Sequence, residues 1–300
     1  MTSPDDHACS KTVGLIGIGL VGAALAEHLI SHGYSVIGYD IAREQTDHLQ
    51  RLGGRAVHSP AEVADAVDCI LLSLPDTRVV RQVIEGPRGV LEAGRPPSCV
   101  IDTTTGDPQE TIQLAERLAE RSVTLLDATI SGSSRQIARR EAVFMVGGDR
   151  GAFDACRDLL DALSDRVLYL GPSGAGSKAK LATNLILGLN RLALAEGLVF
   201  AETLGLDLES FLCLLKAGPA YSAAVDVKGA KMLRGDFTPE ARLKQHYKDV
   251  SLILKYASQV AQELPLTAVH ADILEKAIEA GDGELDNSVV INEIRRRRTR

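Results

Sequence analysis

Lys180 and Asn184 lie four residues apart in the run Gly174-Ala175-Gly176-Ser177-Lys178-Ala179-Lys180-Leu181-Ala182-Thr183-Asn184. On a helix that spacing puts both on one face, with Lys178 directed roughly the opposite way, toward solvent. A lysine can take the hydroxyl proton as a hydride leaves a carbinol carbon, and return it in the reverse reduction. It serves only if burial or a neighbouring cation brings its pKa toward the working pH. Asn184 would orient the lysine or bind the substrate hydroxyl. A Lys/Asn pair on a helix is otherwise solvated surface. The preceding Gly171-x-x-Gly174-x-Gly176 loop favours chemistry, because it lets backbone and helix start approach a ligand. Upstream, Ser131-Gly132-Ser133-Ser134 combines small side chains with backbone N–H groups. That suits an anion such as a carboxylate, or is simply a polar loop.

A hydride needs an acceptor, and a second motif supplies its binding site. Gly17-Ile18-Gly19-Leu20-Val21-Gly22 follows an apolar run, Val13–Ile16, and opens a helical pattern. The first glycine allows the tight turn and the second lets backbone approach a pyrophosphate. The third permits close helix–strand packing, and the helix N-terminus stabilises the anion. Asp40 ends the next apolar run about 20 residues on, where an acid accepts hydrogen bonds from ribose hydroxyls. A carboxylate there repels a 2′-phosphate, which favours NAD over NADP. Arg43 pulls the other way, since an arginine nearby can accommodate the phosphate. Leu74-Pro75 and Asp102-Thr103-Thr104-Thr105 end later strand patterns, and ligands of open α/β sheets collect beyond strand carboxyl ends.

The elements that must position these residues form two blocks. Strands are predicted at Thr12–Ile16, Ser35–Tyr39, Cys69–Leu74, Cys99–Asp102, Thr124–Asp127, Ala142–Gly147 and Val167–Leu170. Helical patterns intervene, including one over Ala152–Leu163, and this alternation implies parallel pairing. After Pro172 no strand-like run appears. One long helix over Lys178–Leu204 is followed by helices at Leu208–Ala217, Ala223–Leu233, Leu243–Gln262 and Leu266–Ala280. The expected fold is α/β: a Rossmann-like, doubly wound parallel sheet over residues 1–171, then an all-α substrate and oligomerisation domain over 172–300.

Composition excludes several alternatives. A net charge of -7 argues against nucleic acid as the main partner. The arginine-rich tail Arg295–Arg300 reads as a solvated end. Five cysteines (Cys9, Cys69, Cys99, Cys156, Cys213) are scattered and never in a Cys-x-x-Cys pair, and the seven histidines form no ligand cluster. Buried thiols in a reducing compartment are expected, without disulfide or metal. The segment from Met1 to Thr12 lacks the apolar core of a signal peptide, and no uncharged apolar stretch of about 18 residues is evident. The expectation is a cytoplasmic protein without membrane contact.

These segments, in this order, resemble the β-hydroxyacid dehydrogenase family, which includes 3-hydroxyisobutyrate dehydrogenase and tartronate semialdehyde reductase. Besides the motifs above, the resemblance runs through Asp127-Ala128-Thr129-Ile130-Ser131-Gly132, Phe144-Met145-Val146-Gly147-Gly148, Ala195-Glu196, Lys248-Asp249 and Gly283-Glu284-Leu285-Asp286. It implies that Lys180 is the catalytic lysine and Asn184 its substrate-contacting partner. Ser131, Gly132 and Ser133 would form the substrate carboxylate loop. Thr105 would contact the nicotinamide ribose, and Lys248 would close over the cofactor. It also implies a homodimer or homotetramer built through the helical domain. The chain departs from the family pattern at Gly106, Thr129, Ser133, Arg140 and Thr183, replacing a usual apolar residue, proline, glycine, glycine and asparagine respectively. Those changes put substrate identity in question. They raise the prospect that Arg140 binds an extra anionic group, although it also reads as surface in the run Arg139-Arg140-Glu141. Two rivals stand beside the dehydrogenase. A related imine reductase would lack the lysine, and a non-catalytic dinucleotide-binding protein would have lost it.

Overall fold

The computed structural model describes residues 11–132 and 134–298, apart from the side chains at 134 and 135. The chain divides after Lys180 into two compact units. The first holds an eight-stranded sheet of β1 (Thr12–Ile16), β2 (Ser35–Tyr39), β3 (Arg55–Ala56), β4 (Cys69–Leu72), β5 (Cys99–Asp102), β6 (Thr124–Ser131), β7 (Val143–Gly147) and β8 (Arg166–Gly171). Their order is β3-β2-β1-β4-β5-β6-β7-β8. The strand order reverses at β1, which pairs with β2 on one side and β4 on the other. That reversal creates the crevice where α/β sheets bind ligands. Every residue of β4 and β5 is buried, as expected of parallel strands covered on both faces.

Helices α1 (Leu20–Ser31), α2 (Arg43–Arg51), α3 (Pro60–Ala66), α4 (Thr77–Glu85), α5 (Pro108–Ala119), α6 (Ser134–Ala138), α7 (Arg150–Ala155) and α8 (Arg157–Leu163) belong to this unit. Three departures from the sequence reading have physical causes. The pairing is not parallel throughout, because β7 runs antiparallel to β6. A parallel crossover needs a dozen or more residues, and only the stretch 132–142, with its five-residue α6, separates the two strands. That antiparallel pairing also carries β6 beyond Asp127 to Ser131. Finally, the helix predicted over Ala152–Leu163 breaks at Cys156, whose φ/ψ of -93°/7° ends one helix and starts the next. No glycine or proline marks that break.

The second unit is helical among its described residues. It contains most of α9 (Ala175–Thr203), then α10 (Leu208–Ala217), a π-helical turn (Val225–Gly229), α11 (Ala230–Arg234), α12 (Leu243–Gln259), α13 (Pro265–Glu279) and α14 (Val290–Arg296). Leu192, Leu198, Met232, Leu243, Val250, Leu274 and Val289 form its core. α9 is long and apolar enough to cross a membrane by length and composition alone, although Lys180, Arg191 and Glu196 leave it no uncharged run of 18 residues. Half of its apolar window is buried within the protein, the behaviour of a core helix. A buried ion pair cross-links the unit: Lys228 Nζ donates to Asp286 Oδ1 at 2.8 Å and Oδ2 at 3.0 Å.

Candidate active site

The glycine loop has the steric demands of a pyrophosphate cradle. Gly17 sits at φ +90°, and a Cβ there would lie 2.2 Å from the Ser73 carbonyl oxygen. A Cβ on Gly22 would lie 2.0 Å from the Gly17 carbonyl oxygen, so the helix could not pack this close. Gly19 is the opposite case: a Cβ would meet nothing within 4 Å. Its missing side chain leaves open space toward a ligand. Gly19 is also the N-cap of α1 and provides no side-chain cap, which leaves first-turn N–H groups available to an anion. These three environments match the three glycine roles and fit a dinucleotide diphosphate.

Asp40 closes the loop. Its carboxylate accepts the Ile18 N–H at 2.6 Å and the Ala42 N–H at 2.8 Å. A carboxylate offers about four acceptor positions, so both oxygens retain capacity for hydroxyl donors. Leu20 and Ile41, beside the loop and beside Asp40, are large apolar side chains left 80% and 93% exposed. Arg43 is exposed in the first turn of α2.

Threonines organise the next strand ends. Thr103 Oγ1 donates to the Leu72 carbonyl at 2.7 Å, and Thr104 Oγ1 accepts the Leu74 N–H at 3.1 Å. Thr103 thus ties the end of β4, and Thr104 the start of the Leu74-Pro75 loop, to the segment after β5. Thr105 is half-buried, and its hydroxyl has no hydrogen-bond partner among the described residues. Asp102 is buried, and its carboxyl is pushed up to about 6. Burial is the main cause and Asp127 adds repulsion, against the opposing hydrogen bonds from Thr104.

A raised folded-state pKa stabilises the protein below the unfolded value near 3.8, and that contribution is lost as pH rises through about 6. Asp102→Asn should therefore gain stability relative to the parent as pH climbs from 4 to 7, by no more than about 3 kcal/mol. Thermal melts of both proteins across that range check this; a pH-independent difference contradicts it.

Lys180 lies where β6 ends. Its Nζ donates to the Ile130 carbonyl at 2.6 Å, directly against the peptide leading into Ser131 and Gly132. The lysine is half-buried and Lys178 exposed, as the helical phase requires. Two residues that sequence reading missed create this placement. Asp127 caps the start of α9, accepting the Gly174 N–H at 2.8 Å and the Ser177 N–H at 2.7 Å. Thr129 Oγ1 donates to the Gly176 carbonyl at 2.8 Å. Gly176 permits the contact, since a Cβ there would lie 2.3 Å from the Asp127 and Met145 carbonyl oxygens. β5 and β6 are in register at Asp102 and Asp127. The four residues after Asp127 therefore carry Ser131 about 13 Å past the end of β5. No sequence signal links Asp127 to a helix start 47 residues later.

In the second unit, Asn184 is buried and its Nδ2 donates to Asp249 Oδ2 at 3.3 Å. Lys248 Nζ lies 3.9 Å from Asp249 Oδ1. Asp249, given no role by sequence, thus holds Asn184.

The departures from the family pattern are mostly scaffold. Thr129 fastens α9. Gly106 leaves room for Thr77 Oγ1, which a Cβ would approach to 2.3 Å and which accepts the Asp107 N–H. Arg140 is tied to neighbouring side chains: its guanidinium pairs with Asp165 at 2.8 Å and lies 2.8 Å from His32 Nε2. Its backbone is left-handed, φ +60°, which explains a glycine preference at that position. Thr183 is exposed, and Ser133 lies outside the described residues.

Residues 12–171 match the NAD-binding domain of 6-phosphogluconate dehydrogenase, and residues 174–294 match the NAD-binding family of NADP-dependent 3-hydroxyisobutyrate dehydrogenase. The chain is 30% identical to 2-(hydroxymethyl)glutarate dehydrogenase of Eubacterium barkeri, covering 94% of each. It is 28% identical to the cytokine-like nuclear factor N-PAC of Homo sapiens over 93% of its own length, but spans only 51% of that protein. Mycobacterium tuberculosis 3-hydroxyisobutyrate dehydrogenase superposes with a TM-score of 0.87 at 27% identity, covering 95% of this chain and 99% of that one. A glycine cradle for a dinucleotide, a lysine held at the end of β6 and a match along both units agree: the chain belongs to the β-hydroxyacid dehydrogenase family of nicotinamide-dinucleotide-dependent oxidoreductases.

Proposed function

We propose that the protein interconverts a small 3-hydroxy carboxylic acid and its semialdehyde, with Lys180 as general acid–base. The observation that carries this reading is the Lys180 Nζ held on the Ile130 carbonyl, beside the Ser131-Gly132 backbone. A carboxylate bound at residues 131–133 would place a hydroxyl two carbons away near that ammonium. Both 3-hydroxyisobutyrate and 2-(hydroxymethyl)glutarate, named for relatives, have that hydroxyl–carboxylate spacing. The nicotinamide, when bound, accepts or returns the hydride. Lys180 takes the hydroxyl proton during oxidation and returns it to the carbonyl oxygen during reduction. Asn184 is assigned to the substrate, Thr105 to the nicotinamide ribose and Lys248 to the cofactor. The glycine loop with Leu74-Pro75 is assigned to the diphosphate. Cofactor reduction measured across a panel of 2-, 3- and 4-hydroxy acids tests this; turnover confined to 2-hydroxy acids rejects it.

NAD is the proposed cofactor. A 2′-phosphate at the Asp40 carboxylate meets like charge, worth several kcal/mol when not compensated. Efficiency with NAD should exceed that with NADP by at least about tenfold, and Asp40→Ala should narrow the gap. Parity in the parent protein would transfer the role to Arg43.

Residues 1–171 would form the dinucleotide-binding domain and 172–300 the substrate and oligomerisation domain of a cytoplasmic homodimer or homotetramer. Support for the assembly comes from an apolar groove of the helical unit lined by Leu192, Phe200, Leu266, Val269 and Ile294. Phe200 and Leu266 are 63% and 69% exposed there. A second copy of the chain would cover it. Phe200→Arg should lower the mass measured by light scattering, and an unchanged mass would place the interface elsewhere.

A further inference from the structure

Three cysteines far apart in sequence meet in the first unit. Cys69 opens β4 and Cys99 opens β5, directly opposite each other in register. Cys156 occupies the break between α7 and α8. Their Sγ atoms all lie within 4.8 Å of one another, with Cys99 and Cys156 3.8 Å apart. All three are buried, with exposures of 1%, 6% and 2%.

Three sulfurs bound to one cation at about 2.3 Å in a trigonal plane stand about 4.0 Å apart. The trio needs sub-ångström shifts to reach that arrangement, and the Cys99–Cys156 separation already matches it. Leu71, Ile101, Leu126 and Leu159 share the same core cluster. The surroundings are therefore apolar, which disfavours the oxygen-seeking magnesium and calcium and selects a thiophilic ion. Charge narrows the class further. Three thiolates around a divalent ion leave one net negative charge and around a monovalent ion two, and a buried apolar site disfavours the larger.

We propose that Cys69, Cys99 and Cys156 form a three-sulfur site for a divalent d10 cation of the zinc–cadmium class. It sits at the amino-terminal ends of β4 and β5, the opposite ends from those that carry Leu74-Pro75 and Thr105. Binding forms three metal–sulfur bonds and releases up to three thiol protons to solvent. It ties the α7–α8 junction to two central strands and so stabilises the folded state by mass action.

The test titrates reduced, chelator-stripped, full-length protein with cadmium under anaerobic conditions. Thiolate-to-metal charge-transfer absorption and the thermal midpoint are followed. The remaining thiols are Cys213, which is exposed, and Cys9, which lies outside the described residues. A Cys9→Ala/Cys213→Ala variant keeps only the three core thiols without disturbing them. Both parent and variant should bind one ion per chain, with saturating absorption and a raised midpoint. Cys99→Ala and Cys156→Ala should each lose the absorption. The proposal is overturned if the parent shows no absorption, or if the Cys9→Ala/Cys213→Ala variant loses it, which would place the metal on the outer thiols. Should the core variants fail to fold, the outer double variant alone still decides.

Discussion

Lys180→Ala is expected to lower kcat by about 10²–10⁴-fold, the range lost when a positioned acid–base group is removed. Cofactor affinity should stay near the parent value. The dinucleotide contacts proposed above lie in the glycine loop and at Asp40, Leu74-Pro75, Thr105 and Lys248, and Lys180 is not among them. Lys180→Ala removes the side chain that donates to the Ile130 carbonyl. α9 keeps its start through Asp127 and Thr129. Single-turnover hydride transfer with NAD, beside a cofactor titration by fluorescence, separates the two quantities. Loss of cofactor binding equal to the loss of turnover would recast the lysine as a cofactor anchor. Lys178→Ala is the matched control. It is exposed on the same helix, and a larger effect there would reverse the assignment.

Lys228→Ala should destabilise the helical unit by about 3–5 kcal/mol, because it strands a fully buried carboxylate. Asp286 is fully buried. Besides Lys228, it accepts the Glu240, Ala241 and Ser288 N–H groups and the Ser288 hydroxyl. Burial acts to raise its pKa, but Lys228 and Ser288 outweigh it and hold the carboxyl below the usual range. A depressed folded-state pKa contributes stability above the unfolded value near 3.8, lost as pH falls through the folded value. The parent should thus lose stability on acidification below about pH 4. Lys228→Ala should show a shallower loss there, since its stranded carboxyl protonates more readily. Denaturant unfolding at pH 3 and pH 7 reads both effects. A loss under about 1 kcal/mol at pH 7 would mean that the backbone donors alone satisfy Asp286.

Some parts of this protein were legible because their signals are local. The glycine roles follow from backbone geometry legible in the motif, and Gly17, Gly19 and Gly22 each meet the environment expected, although the Ser73 carbonyl that bars a Cβ at Gly17 is distant in sequence. Helical phase depends only on 3.6-residue periodicity, so Lys180 inward and Lys178 outward could be read directly. The parallel strands β4 and β5 are short and wholly buried; β5 has the bounds the sequence suggests, while β4 stops at Leu72, two residues before the predicted end. The order of such segments was enough for the family and the nicotinamide chemistry.

Whatever depends on residues distant in the chain belonged to the tertiary structure. The antiparallel turn of β7 follows from the short span after Ser131, whose consequence appears only once the strands pair. Arg140 could be placed only by finding Asp165 and His32 across the fold, and those partners turn a candidate specificity residue into a surface tie. Asp127 becomes the cap of α9, and so the support of Lys180, only because β6 runs beneath that helix start. Cys69, Cys99 and Cys156 read as scattered thiols until strand register and a helix break bring their sulfurs together. Periodicity and sterics act over a few residues and are written in the sequence. Charge pairing, capping across strands and metal-ligand geometry act through space, and only the packed fold sets those distances.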